Sequence, residues 1–268
     1  MTTEKVLSDI DNRGVATVTL NNPDKHNAFD DEIISQLTEI FTALNNDDTV
    51  RVVILAANGK SFSAGADLNW MKRMANYSYD ENLVDAKKLA HMLHTIYSLN
   101  KPTIARVQGA AFGGGVGLAS CCDMAIASER ASFSLSEVKL GMVPATISPY
   151  VIEAIGPRAA RRYFMTAERF RADRAFHLGL VNECVAEEDL DNTINTIIDA
   201  LLANGPQAIA SAKQLVSNVQ YQAINPTLMQ TTSELIATIR SSAEGKEGLS
   251  AFLEKRQPSW INTEVAGE

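Results

Sequence analysis

The sequence predicts an α/β domain followed by a helical region, because the apparent elements change in kind along the chain. In the first half, apolar patterns typical of strands alternate with patterns typical of helices, and after about Pro149 the helical patterns dominate. Alternation followed by a run of helices is typical of an α/β core with a helical C-terminal region. The predicted helices of the second half cover residues 159–166, 172–178, 190–203, 206–219, 226–239 and 244–255.

The elements of the first half follow from hydrophobic spacing and turn residues. Residues 15–20 alternate with a period of two, and the turn residues 12–14 before them predict a hairpin. Asp30 is the predicted cap of a helix with one apolar face. That face comprises Ile33, Ile34, Leu37, Ile40, Phe41 and Leu44. The other predicted elements are buried strands over 50–56 and 103–107, a helix over 83–99 and a short strand over 124–127.

The composition is that of an acidic globular protein. The chain has 24 Lys and Arg against 32 Asp and Glu, a net charge of −8, which argues against nucleic acid and anionic membranes as partners. Cys121, Cys122 and Cys184 are too few for a disulfide framework and fit a reducing compartment. The sequence lacks a signal-peptide pattern and any apolar run of the roughly 20 residues that span a bilayer. We therefore expect a cytoplasmic protein without membrane contact.

Two glycine-rich loops follow predicted strands. They are residues 61–68 and residues 108–118, and the second leads into an apparent helix. Small residues leave backbone N–H groups uncovered, and a helix N-terminus adds partial positive charge, so two such groups can hold one oxyanion. Tight helix–strand packing explains a glycine run equally well. The spacing does not match the G-x-G-x-x-G dinucleotide motif, and no Gly-Lys-Ser/Thr sequence of a P-loop closes the loop.

Glu137 lies in a mostly apolar stretch downstream of these loops. Its carboxylate is either paired with a cation such as Lys139, or desolvated with a raised pKa that suits acid–base chemistry. The residues alone leave both alternatives open. His91 and His94 lie three residues apart on a predicted helix, but no further ligand completes a metal site there, so we expect no metal.

Several segments together resemble the crotonase (enoyl-CoA hydratase/isomerase) superfamily. They are residues 64–68, 109–115, Cys122-Asp123, and Glu137 with Leu140-Gly141 and Pro144. The resemblance implies a crotonase-like spiral of ββα units over residues 1–200 and a helical trimerisation region over residues 201–268. It implies an acyl-CoA thioester as substrate, no cofactor apart from the coenzyme A of that substrate, and a homotrimer or a homohexamer built as a dimer of trimers.

The resemblance also implies the roles of individual residues. The N–H groups of Ala66 and Gly114 would hold the thioester oxygen, and Glu137 would carry the proton. Positions that would hold the coenzyme are Lys25, His26, Ala64, Ala66, Asp67, Leu68 and Gly114. Phe252 and Lys255 match positions that reach the coenzyme A of a neighbouring subunit, where the lysine would pair with the 3′-phosphate.

Gly117 is the main departure from the superfamily pattern. Hydratases of the superfamily usually carry a glutamate at this position and a second at that of Glu137. A single carboxylate suits a Δ3–Δ2-enoyl-CoA isomerase, although one carboxylate can also serve both steps of hydration. Stretches 64–72, 120–125 and 145–150 are similar to the bacterial 3-methylglutaconyl-CoA and γ-carboxygeranoyl-CoA hydratases, which favours hydration of a short branched acyl-CoA.

Three functions therefore follow from the sequence as hypotheses. The first is an enoyl-CoA hydratase for a 3-methylglutaconyl-CoA-like substrate, whose own carboxylate would occupy space left at Gly117. The second is an isomerase with Glu137 as its sole proton shuttle. The third, from another class, is a coenzyme A-binding protein without catalysis.

Overall fold

Two β-sheets form the centre of the protein in the computed structural model, which describes residues 4–261. The strands are β1 (Val6–Ile10), β2 (Val15–Leu20), β3 (Val52–Ala57), β4 (Ser61–Ser63), β5 (Thr103–Val107), β6 (Ala110–Phe112), β7 (Met124–Ser128), β8 (Ser132–Ser134), β9 (Phe170–Arg171) and β10 (Glu183–Val185). The larger sheet has the order β1-β2-β3-β5-β7-β10, and the smaller has the order β4-β6-β8-β9. Only β1 and β9 run antiparallel to their neighbours among these strands.

The helices follow the strands in a repeating order. They are α1 (Asp31–Asn46), α2 (Leu68–Met74), α3 (Tyr79–Tyr97), α4 (Gly114–Cys121), α5 (Ser148–Thr166), α6 (Ala172–Leu178), α7 (Leu190–Leu202), α8 (Pro206–Val219), α9 (Pro226–Ser241) and α10 (Ala243–Glu254). The strand pairs β3–β4, β5–β6 and β7–β8 each give one strand to each sheet before the chain enters a helix. This repetition confirms the predicted spiral of ββα units.

Most predicted elements lie within four residues of the observed ones. The hairpin β1–β2 is present, and Asp30 caps α1 by accepting a hydrogen bond from the N–H of Ile33. The predicted helix 159–166 is the second half of α5, which bends at Gly156, where φ is +73°, before Pro157. The prediction missed α2, the three-residue strand β10 and the strands of the small sheet. The strands β4, β6 and β8 have three residues each, too few to show a period of two.

The main hydrophobic core lies between the two sheets and helices α1, α3, α4 and α5. Its largest fully buried side chains are Phe29, Phe41, Phe62 and Phe133, which are each at most 1% exposed. A second, smaller cluster packs α7 against the other face of the large sheet. In contrast, α8 and α9 contain no buried residue. No helix in residues 4–261 is long and apolar enough to cross a membrane.

Asp123 connects the helical region to the core. Its Oδ2 accepts hydrogen bonds from the N–H and hydroxyl of Thr103 and from Nζ of Lys213 on α8, at 2.8–2.9 Å. Lys213 also donates to the carbonyl of Lys101. Asp123 thus joins the first residue of β5 to α8, which gives a structural reason for an aspartate directly after Cys121-Cys122.

Candidate active site

The backbone around Ala66 leaves one N–H group without an acceptor. Phe29 pairs with this segment as an isolated parallel bridge: its N–H donates to the carbonyl of Gly65, and its carbonyl accepts from the N–H of Asp67, at 2.8 and 2.9 Å. Both bonds are made by the neighbours of Ala66, which are Gly65 and Asp67. Since successive residues of an extended segment face opposite sides, the N–H of Ala66 points away from Phe29. Within residues 4–261 this N–H has no hydrogen-bond acceptor.

Gly114 supplies a second N–H group beside the first. It is the first residue of α4, and N–H groups in the first turn of a helix have no intrahelical acceptor. Gly65 brings the two loops together: a Cβ built on it would lie 2.9 Å from the carbonyl oxygen of Phe112 and 3.7 Å from the nitrogen of Gly114. Gly65 also has a φ of +88°, so a larger residue would be strained there as well as crowded. The predicted donor loops are therefore in contact.

Glu137 lies against the same helix start. Its Oε1 is 3.2 Å from the position that a Cβ at Gly113 would take, and its Oε2 is buried without a hydrogen-bond partner. Burial raises the pKa of the Glu137 carboxyl above the ordinary value for glutamate. No ion pair joins Glu137 to Lys139 or to any other cation of the described chain. Of the two alternatives that the sequence left open, the structure therefore selects the desolvated carboxyl.

The space at Gly117 is filled by an apolar side chain. A Cβ at Gly117 would lie 2.2 Å from Cγ2 and 2.8 Å from Cβ of Ile147, which is only 2% exposed. The hypothesis that a substrate carboxylate occupies this space is therefore wrong, because a charged group there would have to displace a buried isoleucine. The sequence shows the departure at Gly117 but does not predict its contact with Ile147.

The residues expected to hold the coenzyme lie along one edge of this site. The ammonium of Lys25 is 3.0 Å from Oδ2 of Asp67, and Oδ1 of Asp67 caps α2 by accepting from the N–H groups of Asn69 and Trp70. Burial alone would raise the pKa of Asp67, but the hydrogen bonds from Lys25 and these N–H groups hold it below its ordinary value. Asp67 therefore acts in the fold as a capping and pairing carboxylate.

The neighbouring residues complete this edge. Nδ1 of His26 is 3.1 Å from the hydroxyl oxygen of Ser61, and the carbonyl of His26 accepts the N–H of Ala64. Leu68, the first residue of α2, is 73% exposed. The structure thus joins Lys25, His26, Ala64 and Asp67 by direct contacts and leaves Leu68 open to a ligand.

Phe252 and Lys255 lie on a different part of the molecule. They belong to the end of α10, which packs against α8 and α9, and Phe252 is 81% exposed. In residues 4–261 the ammonium of Lys255 has no ion-pair partner. Their predicted contact with a neighbouring subunit stays a prediction.

Another cavity lies apart from this site, and it does not have the features of a catalytic or metal centre. A cavity of about 550 Å³ lies between α8 and the C-terminal end of α4, and it contains none of the predicted site residues. Its walls include Cys122 and Tyr150, and burial raises the pKa of each to about 12, so neither ionises near neutral pH. In the described part of the chain, no cluster of His, Cys, Asp and Glu could hold a metal ion.

Known proteins match the chain over nearly its whole length. The family described as "Enoyl-CoA hydratase/isomerase" matches residues 11–263. The short-chain-enoyl-CoA hydratase of Clostridium acetobutylicum is 34% identical over 91% of this chain and 92% of its own length. The crotonyl-CoA hydratase of Syntrophomonas wolfei is 32% identical over 92% and 95%. The crystal structure of an enoyl-CoA hydratase from Shewanella pealeana is 48% identical, covers 97% of both chains and superposes with a TM-score of 0.93. The fold, the paired loops and these similarities together establish that the chain belongs to the enoyl-CoA hydratase/isomerase family.

Proposed function

We propose that this enzyme is a hydratase that adds water across the 2,3 double bond of a short branched acyl-CoA, similar to 3-methylglutaconyl-CoA. The observation that carries the hydration step is the buried, unpartnered carboxyl of Glu137 beside the two open N–H groups of Ala66 and Gly114. The short chain is supported by relatives named for short-chain-enoyl-CoA and crotonyl-CoA. The proposal of a branched acyl chain rests on the similarity of stretches 64–72, 120–125 and 145–150 to the 3-methylglutaconyl-CoA and γ-carboxygeranoyl-CoA hydratases.

The reaction needs only water, the substrate and groups of the protein. The Glu137 carboxylate accepts a proton from water as the water oxygen bonds to C3, and the electron pair of the double bond moves onto the thioester oxygen. The N–H groups of Ala66 and Gly114 stabilise the charge that develops on that oxygen, where one donor is typically worth about 10²–10³ in rate. The protonated Glu137 then returns its proton to C2, which restores the carboxylate and completes the addition. In this scheme no cofactor is required.

The single carboxylate also supports a second candidate, a Δ3–Δ2-enoyl-CoA isomerase. Ile147 occupies the place where a second carboxylate would have to lie, so Glu137 is the acid–base group of this pocket. In isomerisation Glu137 would remove a proton from C2 of a 3-enoyl-CoA and return it to C4. The two reactions share the enolate and differ in whether water is positioned at C3.

We further propose that copies of the chain assemble as a homotrimer or a dimer of trimers through α8–α10, with acyl-CoA bound near the contact between subunits. Large apolar side chains of α10 are exposed, since Leu249, Phe252 and Leu253 are 56%, 81% and 77% accessible. Exposed apolar groups on this scale are typical of surfaces that pack against another molecule.

The free cysteines Cys121, Cys122 and Cys184 support a reducing, cytoplasmic location.

The substitution Glu137→Gln should change kcat and Tm in opposite directions at neutral pH. We expect Glu137→Gln to lower kcat by about 10²–10⁴-fold, with little change in the affinity for acyl-CoA. Burial raises the pKa of the folded carboxyl above its unfolded value, so the ionised form destabilises the fold above that pKa, and the effect disappears below the unfolded pKa. The variant should therefore have a higher Tm than the wild type at neutral pH and the same Tm in acid. Full activity of the variant would contradict the assignment.

The acyl group is tested with three thioesters in parallel. We expect a higher kcat/KM for 3-methylglutaconyl-CoA than for crotonyl-CoA, and slower turnover of a 3-enoyl-CoA. Equal rates with the first two would contradict the branched substrate. Preferential conversion of the 3-enoyl-CoA would assign the isomerase, and no turnover of any thioester would favour a binding protein.

The contact of Gly117 with Ile147 is tested by a double-mutant cycle of stability. Gly117→Ala should destabilise the protein by about 1–3 kcal/mol, because the new methyl overlaps Cγ2 of Ile147 and this outweighs the gain of up to about 1 kcal/mol from helix propensity. Combining it with Ile147→Ala should cost less than the sum of both changes. The matched control is Ile198→Ala, which lies in the other core cluster and should add to Gly117→Ala. Urea unfolding at one protein concentration measures all of them, and additivity with Ile147 would refute the contact.

The role of Lys255 is tested with the coenzyme itself. If its ammonium pairs with the 3′-phosphate, Lys255→Ala should raise KM for crotonyl-CoA about tenfold and leave KM for the 3′-dephospho analogue unchanged. Lys246→Ala, at another exposed lysine of α10, is the control and should not change either KM. Equal effects of Lys255→Ala on both substrates would exclude a specific phosphate contact.

A further inference from the structure

We propose that Phe29 is a positioning residue that fixes the distance between the two N–H donors of Ala66 and Gly114. The inference rests on the proposed use of these donors to hold the thioester oxygen, and it assigns to Phe29 a role distinct from filling the core. Phe29 is 1% exposed, so its side chain is buried in the core.

The backbone of Phe29 holds the first donor. Its N–H and carbonyl bond to residues on each side of Ala66, at 2.8 and 2.9 Å, so residue 66 can neither slide nor rotate without breaking one of them. Ala66 lies outside the named strands and helices, because β4 ends at Ser63 and α2 begins at Leu68, and in the described chain this isolated bridge pairs it with the segment before α1. The direction of the Ala66 N–H therefore depends on residue 29.

The side chain of Phe29 supports the second donor. A Cβ built at Gly114 would lie 2.2 Å from Cζ of the ring, 3.0 Å from Cε1 and 3.3 Å from Cε2. The outer edge of the ring thus abuts the Cα of Gly114, and only glycine allows that approach. One residue contacts both donors, with its main chain on one and its ring on the other.

A second aromatic residue, Trp70, packs near the ring of Phe29. Trp70 of α2 lies 6.3 Å from it between ring centroids, and Nε1 of Trp70 donates to Oδ1 of Asp85 on α3 at 3.3 Å. Trp70 is 3% exposed, so the pair is fixed inside the core. The ring of Phe29 is therefore a spacer of fixed length between α2 and the first residue of α4.

Donor spacing matters because an oxyanion site works only when both N–H groups lie within about 2.7–3.1 Å of the oxygen. A displacement of about 1 Å can cost about 100-fold in rate. Shortening the ring would let Gly114 shift towards the vacated space, whereas the backbone bridge to Ala66 would stay. The result would be an altered spacing between the two donors in an otherwise folded enzyme.

The experiment compares Phe29→Leu with Phe41→Leu, a matched loss of a fully buried phenylalanine on α1. Three quantities are measured for each variant: Tm, the separate values of kcat and KM for crotonyl-CoA, and the red shift in absorbance of a bound 4-aminocinnamoyl-CoA. That shift reports polarisation of the thioester carbonyl by the donors and does not require hydration. It therefore tests Phe29 even if the proposed branched substrate is wrong.

We expect both variants to lose Tm, and only Phe29→Leu to lose kcat, about tenfold or more, with KM changed less than about threefold and the red shift reduced by at least half. A normal kcat and red shift in Phe29→Leu would overturn the proposal, as would an equal loss in Phe41→Leu. Absence of a red shift in the wild type would overturn it together with the role of the donors.

A second pair of variants tests the ring contact directly. Gly114→Ala should abolish the red shift, because its methyl would overlap the ring of Phe29. Adding Phe29→Leu removes the overlapping ring atoms and should restore part of the shift and of kcat. If the double variant were as impaired as the product of the single losses, the two residues would be independent and the proposal would fail.

Discussion

The bridge between Phe29 and Ala66 joins parts of the chain that lie far apart in sequence, and the geometry of the site depends on it. It ties the segment before α1 to the loop after β4, and that loop in turn touches the start of α4 through Gly65. Without these contacts the two N–H groups would belong to separate, mobile loops. With them the N–H groups of Ala66 and Gly114 are oriented by the fold, as the proposed stabilisation of a thioester oxygen requires.

Charge is distributed so that an acidic protein can still hold an anionic ligand. The net charge is −8, yet the site exposes N–H groups and a helix start, and Lys25 lies at its coenzyme edge. The carboxylate nearest that edge, Asp67, is occupied by Lys25 and by the N-terminus of α2. In contrast, Oε2 of Glu137 has no hydrogen-bond partner within residues 4–261, and burial raises the pKa of this carboxyl. Neighbouring acids in one site thus have opposite pKa shifts for different physical reasons.

The spiral of ββα units followed from the resemblance to the superfamily. The sequence itself predicted an α/β core from patterns in its longer elements, such as the periodic apolar face of α1 and the apolar run of β3. It also located Glu137 and both donor loops, since small residues and an isolated carboxylate in an apolar stretch are visible without coordinates. The sequence did not determine whether Glu137 is ion-paired or desolvated, because that depends on whether Lys139 lies within reach of its carboxylate. It also missed the contact of Gly117 with Ile147 and the role of Phe29. Each joins positions at least 30 residues apart, which local patterns do not connect.

The packing of Ile147 against Gly117 also bears on how this enzyme can evolve. A change of Gly117 to glutamate alone would place a larger group where the methyl and methine carbons of Ile147 already lie. A change of Ile147 alone would open a cavity and give no new carboxylate. Each single step is therefore unfavourable, and only their combination restores a second acid. A second carboxylate at position 117 therefore requires both changes together, because the two side chains compete for the same volume.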